Sequence, residues 1–340
     1  MAPDPSLPRV LLVDDSSVAR AVIARALDGC ADIVGHAANG REGLALLGRL
    51  HVDIVLLDIE MPELDGRAAL PLILERHDAA VIVVSSAATA GARATVEALR
   101  HGAADLLAKP SALVPGDMMR FERSLAAKVR ALGAARRMRA SAILPLRKPG
   151  RRRVECLAIG ASTGGPQALD ALLQALPRDF EAPILVTQHL PAPFMAAFAH
   201  HLAARGRPAA IAGDGVPIAP GSVLLAPGNA HLCVQKRGGR LVARLDDRPS
   251  ANGCRPSVDP MLASLADACG PGGVGVLLSG MGRDGIAGAA RLVEAGGTVM
   301  AQDGASAVVW GMAGAVAQAG LASALLDPTA LGMAVAGLRR

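Results

Sequence analysis

One serine is set up for chemistry: Ser162, in Gly160-Ala161-Ser162-Thr163-Gly164-Gly165-Pro166, directly after the apolar run 154–159. Strand, then Gly-x-Ser-x-Gly, then a helix beginning near Pro166, is a layout that presents a hydroxyl on a sharp turn at the top of a sheet. The small flanking residues let backbone and a substrate carbonyl come close. A serine nucleophile needs a base in reach, and the base needs an orienting carboxylate. Of the eight histidines, His189 is the best placed, because it ends the run Ile184-Leu185-Val186-Thr187 and precedes Leu190-Pro191. His200 and His201 fall in a helical stretch, on a partly exposed face. His231 follows the turn Pro227-Gly228-Asn229-Ala230, where a structural and a substrate-side role are equally open. The carboxylate candidate is Asp284, in Ser279-Gly280-Met281-Gly282-Arg283-Asp284-Gly285 after the run Val274–Leu278. The order Ser162, His189, Asp284 is not the Ser–Asp–His order of α/β-hydrolases, so the pattern does not license that fold. A triad is defined by geometry, and other orders occur.

Gly280-x-Gly282-x-x-Gly285 also reads as a dinucleotide fingerprint, and Asp303 ends the next run at a suitable distance for a ribose contact. Against that reading, the motif lies near the end of the chain, with little room after it for a nucleotide-binding half. It also leaves Ser162 and His189 without a task.

A second cluster lies in the first third of the chain. Asp14-Asp15 follows Val10–Val13, Asp58 follows 53–57, Ser85-Ser86 follows Val81–Val84 and Lys109-Pro110 follows 106–108. Each position is a strand's carboxyl end, where α/β sheets place their sites. Asp and Ser are common strand-end residues one at a time; four signals in register are much harder to dismiss. Asp14, Asp15 and Asp58 converging on one edge repel each other unless a divalent cation neutralises them, and such hard oxygen ligands suit Mg²⁺. A carboxylate held there can attack a phosphoryl group and form an acyl phosphate, with Lys109 pairing with the phosphate and the Ser85 hydroxyl bonding it.

The elements that must position these residues come in two series. Apolar runs at 9–13, 32–36, 54–57, 81–84 and 105–108 alternate with helical patterns, and 117–132 reads as a fifth helix. Gly133 to Gly150 mixes Arg, Ala, Pro and Gly without periodicity and reads as a linker. Runs at 154–159, 183–187, 222–226, 274–279 and 297–301 form the second series. The expected fold is therefore α/β, with two doubly wound parallel sheets and right-handed crossovers. The domain bounds read as 8–125, a basic linker at 126–151, and 152–340.

Composition narrows the classes. The net charge of +5 is local: residues 120–153 hold twelve Lys/Arg and one acid, Glu122, and elsewhere acids outnumber bases by 29 to 23. With no Tyr and 1% aromatic residues, there is almost nothing from which to build base-stacking platforms for single-stranded nucleic acid. The Arg-rich stretch keeps a DNA-binding regulator open, to be tested by salt dependence, but no helix-turn-helix pattern follows residue 125. Residues 1–8 lack the pattern of a signal peptide. The Ala/Gly-rich segment 311–337 is interrupted by Gln318, Asp327 and Pro328, so it reads as buried helix and turn. Cys30, Cys156, Cys233, Cys254 and Cys269 show no paired spacing, which favours reduced thiols in a cytoplasm over a structural zinc site.

Residues 8–125 resemble a response-regulator receiver domain, on the segments VDDS (13–16), DIEMPELDG (58–66) and KP (109–110). The resemblance implies a flavodoxin-like domain in which Asp58 is the phosphoacceptor. It makes Asp14 and Asp15, with Asp58, the metal ligands, Ser85 the switch hydroxyl and Lys109 the phosphate partner. Leu106 stands where such domains usually carry Tyr or Phe.

The whole chain is similar to the chemotaxis protein-glutamate methylesterases of the CheB type, on GASTGGP (160–166), QHLP (188–191), LAPGNAHL (225–232), RPSVD (255–259) and SGMGRDG (279–285). That resemblance implies a Rossmann-like methylesterase domain over 152–340 with Ser162 as nucleophile, His189 as base and Asp284 as orienting acid. Oxyanion donors would come from the backbone N–H groups around Thr163 and Met281. Cys254 stands where a histidine is expected before RPSVD, and Ala313 where proline commonly follows Gly-Met. The implied activity is hydrolysis of glutamate γ-methyl esters, and deamidation of glutamines, on methyl-accepting chemotaxis receptors. The implied phosphodonor is the chemotaxis histidine kinase, with Mg²⁺ needed for phosphorylation and no cofactor for the hydrolysis. The unphosphorylated receiver is expected to pack over the mouth of Ser162. The protein is expected to be cytoplasmic and monomeric, to bind no nucleic acid and to insert in no membrane. A phosphorylation-controlled binding module without catalysis stays open beside this reading, and ester turnover by the fragment 152–340 separates the two.

Overall fold

The structure, a computed structural model, describes residues 7–86, 89–110, 116–137, 146–148 and 153–338. The chain divides into two compact units, Met1–Met138 and Arg139–Arg340.

The first unit runs β1 (Arg9–Val13), α1 (Ser17–Ala26), β2 (Asp32–Ala37), α2 (Gly40–Leu47), β3 (Ile54–Leu57), α3 (Gly66–Arg76), β4 (Ala80–Ser85), α4 (Thr89–Arg100), β5 (Asp105–Ala108) and α5 (Asp117–Arg137). Its five strands lie in the order β2-β1-β3-β4-β5, all parallel. This is the flavodoxin-like doubly wound order, whose switch point lies between β1 and β3. Val10 to Val13 and Ile54 to Leu57 are buried throughout, because helices cover both faces of the sheet. Asp14 and Asp58 therefore emerge side by side at the switch point.

Helix α5 continues to Arg137, so the end expected at 132 and the linker expected from 126 both give way to helix in their first part. Gly133 is not a breaker here: a Cβ on it would lie 2.8 Å from Pro8 Cβ, so glycine lets the helix close on the start of β1. The basic stretch is also partly structural, since the Lys128 ammonium donates to Asp105 and ties α5 to β5. Residues 138–145 and 149–151 of the expected linker lie outside the described residues.

The second unit runs β6 (Cys156–Ala161), α6 (Gly165–Ala175), β7 (Ile184–Gln188), α7 (Ala192–Ala203), β8 (Ala209–Ile211), β9 (Val223–Leu225), β10 (His231–Arg237), β11 (Arg240–Asp246), α8 (Val258–Cys269), β12 (Gly273–Leu277), α9 (Ile286–Glu294), β13 (Thr298–Gln302), α10 (Met312–Gln318), β14 (Leu325–Leu326) and α11 (Pro328–Gly337). Seven parallel strands form one sheet in the order β14-β13-β12-β6-β7-β9-β8. The chain builds outward from β6 to one side, then returns to build the other from β12, so the switch point falls between β6 and β12. β10 and β11 form a separate antiparallel hairpin around Gly238-Gly239, an element outside the sequence expectations. Among the described residues no helix is long and apolar enough to cross a membrane.

Candidate active site

Ser162, His189 and Asp284 follow the carboxyl ends of β6, β7 and β12, three neighbouring strands at the centre of the seven-stranded sheet. Register does the first part of the positioning. Ala161 pairs with Gln188 across β6 and β7, which puts Ser162 and His189 next to each other one step beyond the ladder. Ser162 N donates to Ser279 O at 3.0 Å, locking the turn after β6 to the turn after β12. The Ser162 carbonyl accepts from Gly165 N at 2.8 Å and from Gln188 Nε2 at 2.9 Å. Ser279 Oγ donates to Thr163 O at 2.7 Å. Gly164 completes the turn with φ of +73°, and a Cβ there would lie 2.5 Å from Val308 Cβ, so only glycine fits.

Asp284 is the most heavily bonded side chain of the site. Its Oδ2 accepts from His189 Nε2 and from Val258 N, both at 2.8 Å. Its Oδ1 accepts from Asn252 Nδ2 at 2.6 Å, Ser257 Oγ at 2.7 Å and Asp259 N at 3.2 Å. Val258 and Asp259 open α8 and Ser257 is its N-cap, so the positive end of that helix points at the carboxylate. Burial works against the charge, but His189, Val258 N–H and the Ser257 hydroxyl outweigh it and hold the carboxyl at about 2. An ionised carboxylate can only accept, so His189 Nε2 carries the proton of this bond, and in the neutral imidazole Nδ1 is then the nitrogen with the lone pair. Among the described residues, no hydrogen bond joins the Ser162 hydroxyl to His189.

Sequence reasoning missed three supports of this carboxylate: Asn252, Ser257 and the N-terminus of α8. It also left His231 open. The structure makes that residue structural, since its Nδ1 accepts from Ser257 N at 2.9 Å and its Nε2 meets Arg248 O at 2.8 Å. His201 pairs with Asp170 at 2.8 Å across α6 and α7, away from Ser162's strand end. Met281 N–H makes no hydrogen bond among the described residues and sits in the turn before Asp284. Thr163 is buried beside Ser162. Asp303, the would-be ribose contact, accepts from Ser306 N at 2.8 Å and caps a turn.

In the first unit Lys109 Nζ donates to Asp58 Oδ2 at 2.6 Å and pairs with Asp14 Oδ2 at 2.8 Å. Asp58 Oδ1 also accepts from Ile59 N at 2.7 Å. Burial pushes the Asp58 carboxyl above its ordinary value, against the pull of Lys109. Burial lowers Lys109, but its bonds to Asp14 and Asp58 outweigh that and raise it. Oxygens of Asp14, Asp15 and Asp58 come within 4.8 Å of one another. Ser85 is buried at the end of β4, and its carbonyl accepts from Lys109 N at 2.8 Å. Leu106 is buried inside β5.

A family model of the CheB methylesterase matches residues 157–335, and one of the response regulator receiver domain matches residues 10–115. A protein-glutamate methylesterase/protein-glutamine glutaminase of Azospirillum brasilense is 41% identical, over 95% of this chain and 91% of its own. One from Caulobacter vibrioides is 41% identical, over 98% of this chain and 99% of its own. The crystal structure of the Thermotoga maritima CheB methylesterase catalytic domain is 36% identical, with a TM-score of 0.53, and covers 54% of this chain and 98% of that one. The chain thus belongs to the CheB methylesterase family, as a carboxylic ester hydrolase preceded by a response-regulator receiver domain.

Proposed function

We propose that the protein hydrolyses glutamate γ-methyl esters, and deamidates glutamines, on methyl-accepting chemotaxis receptors, and that phosphorylation of Asp58 raises its rate. The observation carrying this is His189 bonded to a deeply anchored Asp284, one strand from the Ser162 turn. Ser162 Oγ attacks the acyl carbon while its proton passes to His189 Nδ1, the nitrogen that Asp284 leaves free. That hydrogen bond forms as substrate seats, as is common for catalytic contacts that are loose in the free enzyme. Asp284 stays ionised and stabilises the imidazolium. Backbone N–H groups of Thr163 and Met281 face the developing oxyanion; losing one such donor costs on the order of 10²–10³ in rate. Nδ1 then returns the proton to the departing methoxide, or to the departing amide nitrogen of a glutamine, which leaves as ammonia. Water repeats the sequence on the acyl-enzyme.

In the receiver, Asp58 is the phosphoacceptor, Ser85 the switch hydroxyl and Lys109 the phosphate partner. Asp14, Asp15 and Asp58 offer hard oxygens close enough to hold Mg²⁺, which when bound supplies charge neutralisation at the phosphoryl group. Phosphate on Asp58 takes over the Lys109 contact, and the rearrangement releases a restraint on the hydrolase. A chemotaxis histidine kinase is the phosphodonor. The receiver occupies 8–125 with α5 extending beyond it, and the hydrolase 152–340, in the cytoplasm. Methanol release from membranes bearing methylated receptors tests this. The full-length protein should release methanol, faster with a small-molecule phosphodonor and Mg²⁺, while Asp58→Ala stays at the basal rate. No methanol from any form would overturn the reading.

A further inference from the structure

Cys254 lies on the loop between β11 and α8, far in sequence from His189 and Asp284. One ligand atom from each of the three residues nonetheless falls within 4.8 Å of the other two. Imidazole nitrogen, thiolate sulfur and carboxylate oxygen form the donor set of borderline-soft divalent cations, Zn²⁺ foremost. We propose that His189, Cys254 and Asp284 form a Zn²⁺ site whose occupancy switches the hydrolase off.

The ligand atoms lie within 4.8 Å of one another and must shift to bonding separations. Tetrahedral Zn²⁺ with its usual bond lengths holds nitrogen, oxygen and sulfur ligands about 3.3–3.6 Å apart. His189 Nε2 and Asp284 Oδ2 are now 2.8 Å apart around a proton, so they must part by roughly half an ångström to admit a metal. The surrounding bonds already hold the carboxylate as zinc-ligating carboxylates are held. Asp284 Oδ1 is gripped by Asn252 and Ser257 at 2.6 and 2.7 Å. The same Asn252 accepts from Cys254 N at 2.9 Å, and Ser250 Oγ donates to Cys254 O at 2.6 Å, so the thiol's backbone is fixed to the carboxylate's anchor. Cys254 is half-buried and the His189 side chain 17% exposed, leaving an approach from solvent.

Inhibition follows from the imidazole. A metal on Nε2 displaces its proton and leaves the ring protonated on Nδ1; a metal on Nδ1 occupies that lone pair directly. Either way nothing remains to accept the Ser162 proton. Binding forms a metal–sulfur bond and sends the thiol proton to solvent, with no change of oxidation state. The inhibitory half of this rests on the hydrolase reading; the site itself does not.

The test uses full-length, tag-free protein cleared of metal by a chelator. Co²⁺ titration followed by absorbance should give a thiolate-to-cobalt charge-transfer band in the wild type and none in Cys254→Ser or Cys254→His. Zn²⁺ inhibition of methanol release is then compared with each variant's own metal-free rate. Loss of a supporting contact around a metal ligand costs about 10–100-fold in affinity, so Cys254→Ser should raise the inhibitory Zn²⁺ concentration at least ~100-fold. Cys254→His keeps a ligand and should stay within about tenfold of wild type. A charge-transfer band unchanged in Cys254→Ser, or equal Zn²⁺ sensitivity in wild type and Cys254→Ser, would overturn the site. A Cys254-dependent band in a protein with no esterase activity would keep the site and remove the hydrolase reading.

Discussion

Replacing Asp284 by asparagine should separate what its charge does from what its shape does. The carboxyl sits at about 2 against an ordinary 3.8. That lowering corresponds to about 2 kcal/mol of stability at neutral pH. The folded-state value is the lower one, so this stabilisation is complete above about pH 5 and fades as pH falls towards 2, with about half gone near pH 3. The amide side chain can still fill the space. With its oxygen towards His189 and Val258 it keeps those bonds, and the Ser257 hydroxyl can turn to accept from its NH₂. Its NH₂ then faces Asp259 N–H, a donor it cannot satisfy. With the amide reversed, NH₂ faces Val258 N–H, and His189 must move its proton to Nδ1. Either way the imidazolium loses its counter-charge, and kcat should fall on the order of 10⁴. Trp310 is the chain's one tryptophan and belongs to the second unit, so its fluorescence follows that unit's unfolding. Denaturant titrations at pH 7 should show Asp284→Asn destabilised by about 2 kcal/mol or more, with the gap to wild type narrowing by roughly 1 kcal/mol at pH 3. A gap independent of pH, or a kcat within tenfold of wild type, would refute the role given to the charge.

Three other substitutions probe the supports. Ser257→Ala removes both the cap of α8 and a 2.7 Å donor to Asp284, and should cost about 1–2 kcal/mol and about tenfold in kcat. Denaturant titration and a rate measurement check it. Gly164→Ala forces a Cβ to 2.5 Å from Val308 Cβ at φ of +73°, and should destabilise the second unit by about 3 kcal/mol or more, read by Trp310 fluorescence. Lys109→Ala strips Asp58 and Asp14 of their 2.6 and 2.8 Å partner, so label uptake from a radiolabelled phosphodonor should fall sharply. Uptake equal to wild type would remove Lys109 from the switch.

Strands β1, β3 and β4 of the receiver were legible almost to the residue, because strands buried on both faces of a parallel sheet read as unbroken apolar runs. The turn around Ser162 was legible for a local reason: its glycines and the following proline announce strand end and helix start. What supports Asp284 was not. Ser257 can be recognised as a helix cap, but that its helix points at a carboxylate 27 positions later depends on packing. Asn252 and Cys254 reach the site by the path of one loop, which no local pattern encodes. The hairpin of β10 and β11 did leave a signal, alternating apolar residues flanking Gly238-Gly239, which a search for buried parallel strands passes over. β8 and β14 are edge strands of three and two residues, too short for periodicity to register.

In the proposed reaction Ser162 becomes covalently acylated. The direct test is peptide mapping by mass spectrometry after the protein meets a glutamate γ-ester whose acyl-enzyme hydrolyses slowly. The acyl mass should appear on the peptide containing Ser162, vanish in Ser162→Ala together with methanol release, and form far more slowly in His189→Ala. An adduct on any other residue, or undiminished methanol release by Ser162→Ala, would contradict the account.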